Sequence, residues 1–223
     1  MATETEHLPH LERPPKSLWE RILAQPERAP ELIALAASER FGPQAEEWVR
    51  TAGAGHTPDQ LAKVAYKKHV RLARVEGGVL GLGGALTAAP DIVALIWIQS
   101  RMVFYIAAAY GYDPRHPMRP AELLALQGVY ETPEQAREAL DGMGKLMAQA
   151  MVEKALAGRS TEALHRRLVR YLARRLARRA AGRLIPLIGA PLGAIQNGNA
   201  TKAVGKLALS YYARPSDGGG PGA

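Results

Sequence analysis

The stretch from Gly77 to Gly111, GGVLGLGGALTAAPDIVALIWIQSRMVFYIAAAYG, decides the fold. It holds two charges, Asp91 and Arg101, and Pro90 divides it into two apolar runs. In the first run Gly77, Gly81, Ala85 and Ala89 recur at i, i+4, with Gly78, Gly84 and Ala88 beside them. Glycine inside a helix costs about 1 kcal/mol relative to alanine, so this many glycines need a closely packed neighbour, a sharp hairpin or a membrane. The stretch therefore reads as a central glycine-rich apolar helical hairpin that faces either a protein core or a membrane.

The second run, Ile92 to Gly111, has about the length of a bilayer span. Ile92, Val93, Leu95, Ile96, Ile98, Val103, Phe104 and Ile106 favour insertion by about 0.3 to 0.6 kcal/mol each, and a central arginine opposes it by about 2.5 to 3.5 kcal/mol. The balance is near zero before Gln99 and Ser100 are counted. A buried core helix, or one seated at an interface, is expected rather than a solitary span. Asp91 and Arg101 lie too far apart to pair within one helix, so each needs a partner from another element.

Working outward, apolar residues keep helical spacing and no strand pattern survives. Leu18, Trp19, Ile22 and Leu23 mark one helix; Pro30 opens a longer one through Leu32, Ile33, Leu35, Ala36 and Phe41 to Trp48 and Val49. Both read as amphipathic surface helices. Thr57-Pro58-Asp59-Gln60 has the N-cap, first-turn proline and capping-box order of a helix start, and the helix that follows carries Lys63, Lys67, Lys68, Arg71 and Arg74. Pro114, Pro117 and Pro120 mark a loop. Thr132-Pro133-Glu134-Gln135 starts another helix, expected to run to about Leu156 and stop at Gly158.

The most basic element follows the Ser160-Thr161-Glu162 cap. Arg166, Arg167, Arg170, Arg174 and Arg178 fill one half of its helical wheel, and Leu168, Val169, Leu172, Leu176 and Ala180 the other. Glu162 is its one acid, so the pattern suits an anionic membrane surface; the plainer alternative is the solvated face of an ordinary amphipathic helix. Nucleic acid is disfavoured, because Tyr171 stands alone and offers no stacking series. A second small-residue stripe, Gly189, Gly193, Asn197, Thr201 and Gly205, marks another packing seam. The class is all-α: one helical bundle over residues 16–213, with a disordered N-terminal tail at 1–15 and a disordered Gly/Pro-rich C-terminal tail at 214–223.

The chain has 223 residues and a formal net charge of +8, which points to an anionic partner. It has no cysteine, hence no disulfide framework, thiolate nucleophile or thiolate-bound metal. Residues 1–15 lack the basic and apolar order of a secretory signal, and a cytoplasmic protein is expected. His7, His10, His56, His69, His116 and His165 fall in no metal-ligand spacing, and no cofactor or metal is expected. Gly205-Lys206 lacks the upstream glycine of a phosphate-binding loop, and no GxGxxG or GxSxG is present.

Ala89-Pro90-Asp91-Ile92, then Gln99 and Arg101, then Ile106-Ala107-Ala108-Ala109-Tyr110-Gly111-Tyr112-Asp113 together resemble the bacterial EcsC family. Arg183 to Ala194, leading to Asn197, Val204-Gly205 and Tyr211-Tyr212, is similar to that family's closing motif, with Pro191 departing from it. The resemblance covers roughly Leu61 to Arg214. It implies a helical, membrane-associated protein without an established biochemical activity, whose namesake is encoded beside an ABC transporter linked to secretion. It makes Asp91, Gln99, Arg101, Tyr110 and Asn197 the motif core.

Three functions compete. The first is a non-enzymatic protein held peripherally on the inner face of the cell membrane by basic faces and the apolar hairpin, with an ABC transporter as a further partner. The second is a soluble bundle that holds a lipid or other apolar ligand in an internal pocket, with Asp91, Gln99, Arg101 and Asn197 as polar contacts. An enzyme using Asp91 or His116 as general base has the least support, because a lone carboxylate is more often half of a structural ion pair.

Overall fold

The computed structural model describes residues 12–80, 89–143 and 194–214. These hold seven α-helices: α1 (Lys16–Ala24), α2 (Ala29–Ala52), α3 (Pro58–Leu80), α4 (Ala89–Ala109), α5 (Arg119–Leu126), α6 (Pro133–Asp141) and α7 (Ala194–Tyr212). A single 3-10 turn, Pro26–Arg28, joins the first two, and no strand occurs among the described residues.

The centre is α4, which packs against α2, α3 and α7. Its run Ile92–Ala109 has a mean hydropathy of 1.7 and is 89% buried. Trp97, Met102, Phe104, Tyr105 and Ile106 are among the largest fully buried side chains, and each such burial stabilises by about 1.5 to 3 kcal/mol. Moving α4 into lipid would exchange this packing for equally apolar tails and would add the cost of Arg101. The apolar face of the second run therefore meets protein, and α4 is a core helix.

Neighbouring rings set the helix directions. Phe41 stacks on Trp97 at 4.7 Å and Trp48 on Tyr105 at 5.1 Å, so α2 and α4 run the same way. Asp59 meets Tyr110 at the far end of α4, and Ala73 meets Leu95 and Ile98 nearer its start, so α3 runs antiparallel to it. The residues between α3 and α4, 81–88, lie outside the described residues, and so does the turn of the expected hairpin.

The reading of α2 as a surface helix is corrected. Ala29 to Ala34, Ala36, Ala37, Phe41, Ala45 and Trp48 are buried, because α4 lies along one side of α2 while α5 and α1 cover others. Glu31, also buried, accepts a hydrogen bond from the Tyr130 hydroxyl. Pro30 sits in the first turn as expected. Gly42 lets the 112–118 loop come close: a Cβ there would lie 3.1 Å from the Pro114 carbonyl oxygen. Arg115 pairs with Glu46 at 2.8 Å across the same junction.

The helix starts follow the cap chemistry. Thr57 N donates to Gln60 Oε1 at 2.8 Å, and Gln60 N donates to Thr57 Oγ1 at 3.3 Å, a reciprocal capping box. The Thr132 hydroxyl accepts from Gln135 N at 3.3 Å to start α6. That α-helix ends at Asp141, Gly142 makes a turn and Met143 is helical again; the expected end at Leu156 lies outside the described residues. Helix α5 was hidden by the three prolines, which read as loop; Pro120 instead occupies its first turn, where no amide is needed.

Of the stretch read as an N-terminal tail, Glu12 to Pro15 are described: Glu12 pairs with Arg40 and accepts from Gln44 Nε2 at 3.2 Å. Residues 1–11 and 215–223 lie outside the described residues. Helix α7 closes against α3 and α4 at Gly205, where a Cβ would stand 2.5 Å from Tyr66 Cδ2 and 3.0 Å from Met102 Sδ. Gly205→Ala would gain about 1 kcal/mol of helix propensity, but overpacking against a held ring costs about 1 to 3 kcal/mol. We expect a net loss, read as a lower urea midpoint at unchanged slope, and larger for Gly205→Val.

Candidate functional site

Two buried polar clusters share the bundle interior. The first surrounds Arg101, which is 4% exposed at the middle of α4. Its guanidinium carbon stands 5.7 Å from the Phe41 ring and 5.3 Å from the Tyr105 ring, so helix-borne π faces flank a weakly hydrated cation. Burial holds the Tyr105 phenol above the usual range, with the nearby Arg101 charge working the other way. Gln99 and Ser100 are buried beside it in sequence; Ser100 Oγ donates to the Ile96 carbonyl at 2.7 Å.

His69 closes this cluster from α3, edge-on to Tyr105 at 5.4 Å. Its Nδ1 lies 2.7 Å from the Ala65 carbonyl, which can only accept, so Nδ1 carries the proton and Nε2 is a bare acceptor. Burial, with Arg101 and Lys68 adding like charge, lowers its pKa to about 3. His69 is neutral at physiological pH. Burial and the charge of Arg101 also lower the pKa of Lys68.

The second cluster joins the two family-like motifs. Arg119 and Glu122, both buried, form an ion pair one turn apart on α5. Tyr212 at the end of α7 donates its hydroxyl to Glu122 Oε2 at 2.7 Å, and Arg119 Nε donates to the Asp113 carbonyl at 3.1 Å. The Arg119 guanidinium lies 5.1 Å from the Tyr112 ring and 5.7 Å from the Tyr212 ring. Burial, then the Glu122 charge, pushes the Tyr212 phenol well above its ordinary range and Tyr211 up to about 12. Tyr112 donates to the Arg214 carbonyl at 3.0 Å, which fixes the chain after α7.

The expected motif residues are thus divided among several places. Tyr110 lies at the end of α4 and donates to Asp59 Oδ1 at 2.6 Å; burial and this bond push its phenol up to about 12. Gln99 Nε2, His69 Nε2, Trp97 Nε1 and Thr201 Oγ1 are buried with no hydrogen-bond partner among the described residues. The side chains of Asp91 and Asn197 lie outside what the structure describes, although their backbones belong to α4 and α7. So do Gly81, Gly84, Gly189 and Gly193, and the basic face of Arg166, Arg167, Arg170, Arg174 and Arg178. Gly77 falls in the last turns of α3.

Neither cluster assembles a nucleophile with a base. His116, the other candidate base, uses its Nδ1 to accept from Met118 N at 3.2 Å in the exposed loop. Among the described residues no group of three or more His, Asp or Glu could hold a metal. Arg119 and Glu122 escaped the sequence reading; their signal was an arginine and a glutamate three apart around a helix-starting proline.

Two measurements check these clusters. His69 binds its proton in the unfolded chain near pH 6.5 but not in the folded one until about pH 3. Its contribution is therefore intact above pH 6.5 and declines as pH falls. We expect urea stability at pH 5 to fall relative to pH 7 by about 2 kcal/mol more in the wild type than in His69→Gln. For the second cluster, Glu122→Ala leaves a buried guanidinium without its carboxylate and is expected to cost about 3 to 5 kcal/mol. Tyr212→Phe removes one charge-assisted hydrogen bond and should cost about 1.5 to 3 kcal/mol by the same assay.

Among known proteins, the uncharacterized protein YdbA of Bacillus subtilis (strain 168) is 39% identical over 57 residues. That segment is 26% of this chain and 21% of the relative, so the likeness spans a small part of both. No solved structure matches. The sequence model of the EcsC protein family matches residues 56–214, which takes in α3 through α7 and leaves α1 and α2 before it. The match covers well over half of the chain, and both motifs lie within it: the chain belongs to the EcsC protein family.

Proposed function

We propose that this protein is a non-enzymatic component that docks peripherally on an anionic membrane surface, on the cytoplasmic side. The observation that carries this reading is the outer face of α3. Lys63, Lys67, Arg71 and Arg74 are exposed there, and the acids of the helix are Asp59 at its start and Glu76 near its end. Asp59 is 3.8 Å from Lys63, so it offsets only the first of the four cations. The burial of α4 in the bundle supports a peripheral attachment over a span by that helix. Juxtamembrane lysines and arginines contribute about 1 kcal/mol each toward anionic lipid, so this face alone supports substantial binding. The Arg166 to Arg178 face belongs to the same proposal, as does an ABC transporter partner, which would reside at the surface where this protein docks.

A second reading, an internal ligand, is favoured by the unpartnered buried atoms of Gln99, His69 and Thr201. Native mass spectrometry of gently extracted protein should then show a bound species, and a clean apo mass removes it.

Flotation tests the first reading. The wild type is expected to rise with vesicles of phosphatidylglycerol and phosphatidylcholine at low salt and to stay dense with phosphatidylcholine alone. A variant carrying Lys63→Glu, Lys67→Glu, Arg71→Glu and Arg74→Glu should lose about a thousandfold in partitioning or more. Wild-type protein that stays dense with anionic vesicles overturns the reading.

A further inference from the structure

Helix α3 packs against α4 and α7, and its inward residues Ala62, Ala65, His69 and Ala73 are buried. The same periodicity that turns these residues inward turns two large apolar ones outward: Val64, 41% exposed, and Val75, 54% exposed. They are eleven residues apart, three helical turns, and so stand in one row along the helix. By the same period Lys63, Lys67 and Arg74 form a second row about a quarter turn round the axis, and Arg71 falls between the two rows. All four cations are exposed.

Singly, each valine would be an ordinary surface residue. In one row beside four cations, they give the outward side of a single helix an apolar flank and a cationic flank. A second copy brought to this face would set cation against cation. Nucleic-acid phosphates would satisfy the cations but leave Val64 and Val75 without an apolar partner. An anionic phospholipid surface satisfies both flanks, with phosphates at the cations and acyl carbon against the valines. The long stems of lysine and arginine let their charged ends reach the headgroups while the helix itself lies lower.

We infer that α3 lies in the plane of an anionic phospholipid surface, rolled so that Val64 and Val75 enter the acyl boundary while Lys63, Lys67 and Arg74 meet the headgroup phosphates. This rests on the peripheral-docking reading and adds to it an orientation and an apolar component of binding. Cation contacts are screened by salt and inserted side chains are not, so the two components separate in one experiment.

Flotation with phosphatidylglycerol–phosphatidylcholine vesicles is run at low and high salt on the full chain and on Val64→Ser/Val75→Ser, whose sites are exposed and leave the core untouched. The wild type is expected to bind at low salt and to retain part of its binding at high salt. The variant should partition about tenfold less than the wild type at either salt, since two half-exposed valines lose their apolar contact. Because the chain lacks cysteine, Val64→Cys, Val75→Cys, Lys63→Cys and Glu39→Cys can each carry one environment-sensitive fluorophore. On vesicle binding a blue shift is expected at 64 and 75, a smaller one at 63 in the cationic row, and none at 39, an exposed position on α2.

Wild-type flotation with a serine variant that partitions equally well, or with no shift at 64 and 75, overturns the inference and leaves peripheral docking standing. A shift at 63 as large as at 64 overturns the roll. Tight binding of single-stranded nucleic acid that displaces the vesicles, or dimerisation lost in the serine variant, also overturns the inference. Failure of the wild type to float overturns both readings.

Discussion

Arg101 brings a permanent positive charge into the middle of the most apolar helix of this protein, and the surrounding elements are arranged to hold it there. A lone guanidinium in hydrocarbon is costly. Here Phe41 from α2 and Tyr105 from α4 cover it with ring faces. The consequence reaches further than the pair. His69 must stay neutral beside that charge, the pKa of Lys68 is lowered by burial and by that charge, and α2 must lie along α4 to deliver Phe41 and Trp48. The helices that precede the family-matched region therefore complete its core.

This arrangement explains what the sequence could and could not disclose. The helical class was legible because the spacing around Leu18, Leu32, Leu61 and Ile92 has one period, and because Thr57 and Thr132 announce helix starts. The insertion balance around Arg101 placed α4 correctly between span and core, and only the packing of α2, α3 and α7 decides for the core. The misjudged element was α2. Its alternation is that of any amphipathic helix, and nothing local says that more than one side is covered. Helix α5 was missed because a proline reads as loop until its place in a first turn is known.

The site was less legible, for a physical reason. Arg101 and Gln99 stand out as polar residues in an apolar run, but the residues that complete their setting, Phe41, His69 and Tyr105, look like ordinary helix residues. The Arg119–Glu122–Tyr212 cluster depends on contacts between residues ninety positions apart, which no periodicity encodes. It ties the end of the central motif, at Tyr112 and Asp113, to the end of the closing motif, at Tyr212 and Arg214. The two stretches that carry the family resemblance are thus one structural unit, joined through a short helix that belongs to neither.

In the proposed docking the apolar helix stays inside the protein and the lipid lies outside it, against the basic outer face of α3. The tryptophans Trp19, Trp48 and Trp97 lie on α1, α2 and α4, none of them on α3. Their emission should therefore be followed while the protein binds anionic vesicles whose acyl chains are brominated, a short-range quencher. Emission unchanged from that with unbrominated vesicles is the predicted result. Strong quenching that persists in a Trp19→Phe/Trp48→Phe variant would put Trp97 and its helix among the acyl chains and contradict this arrangement.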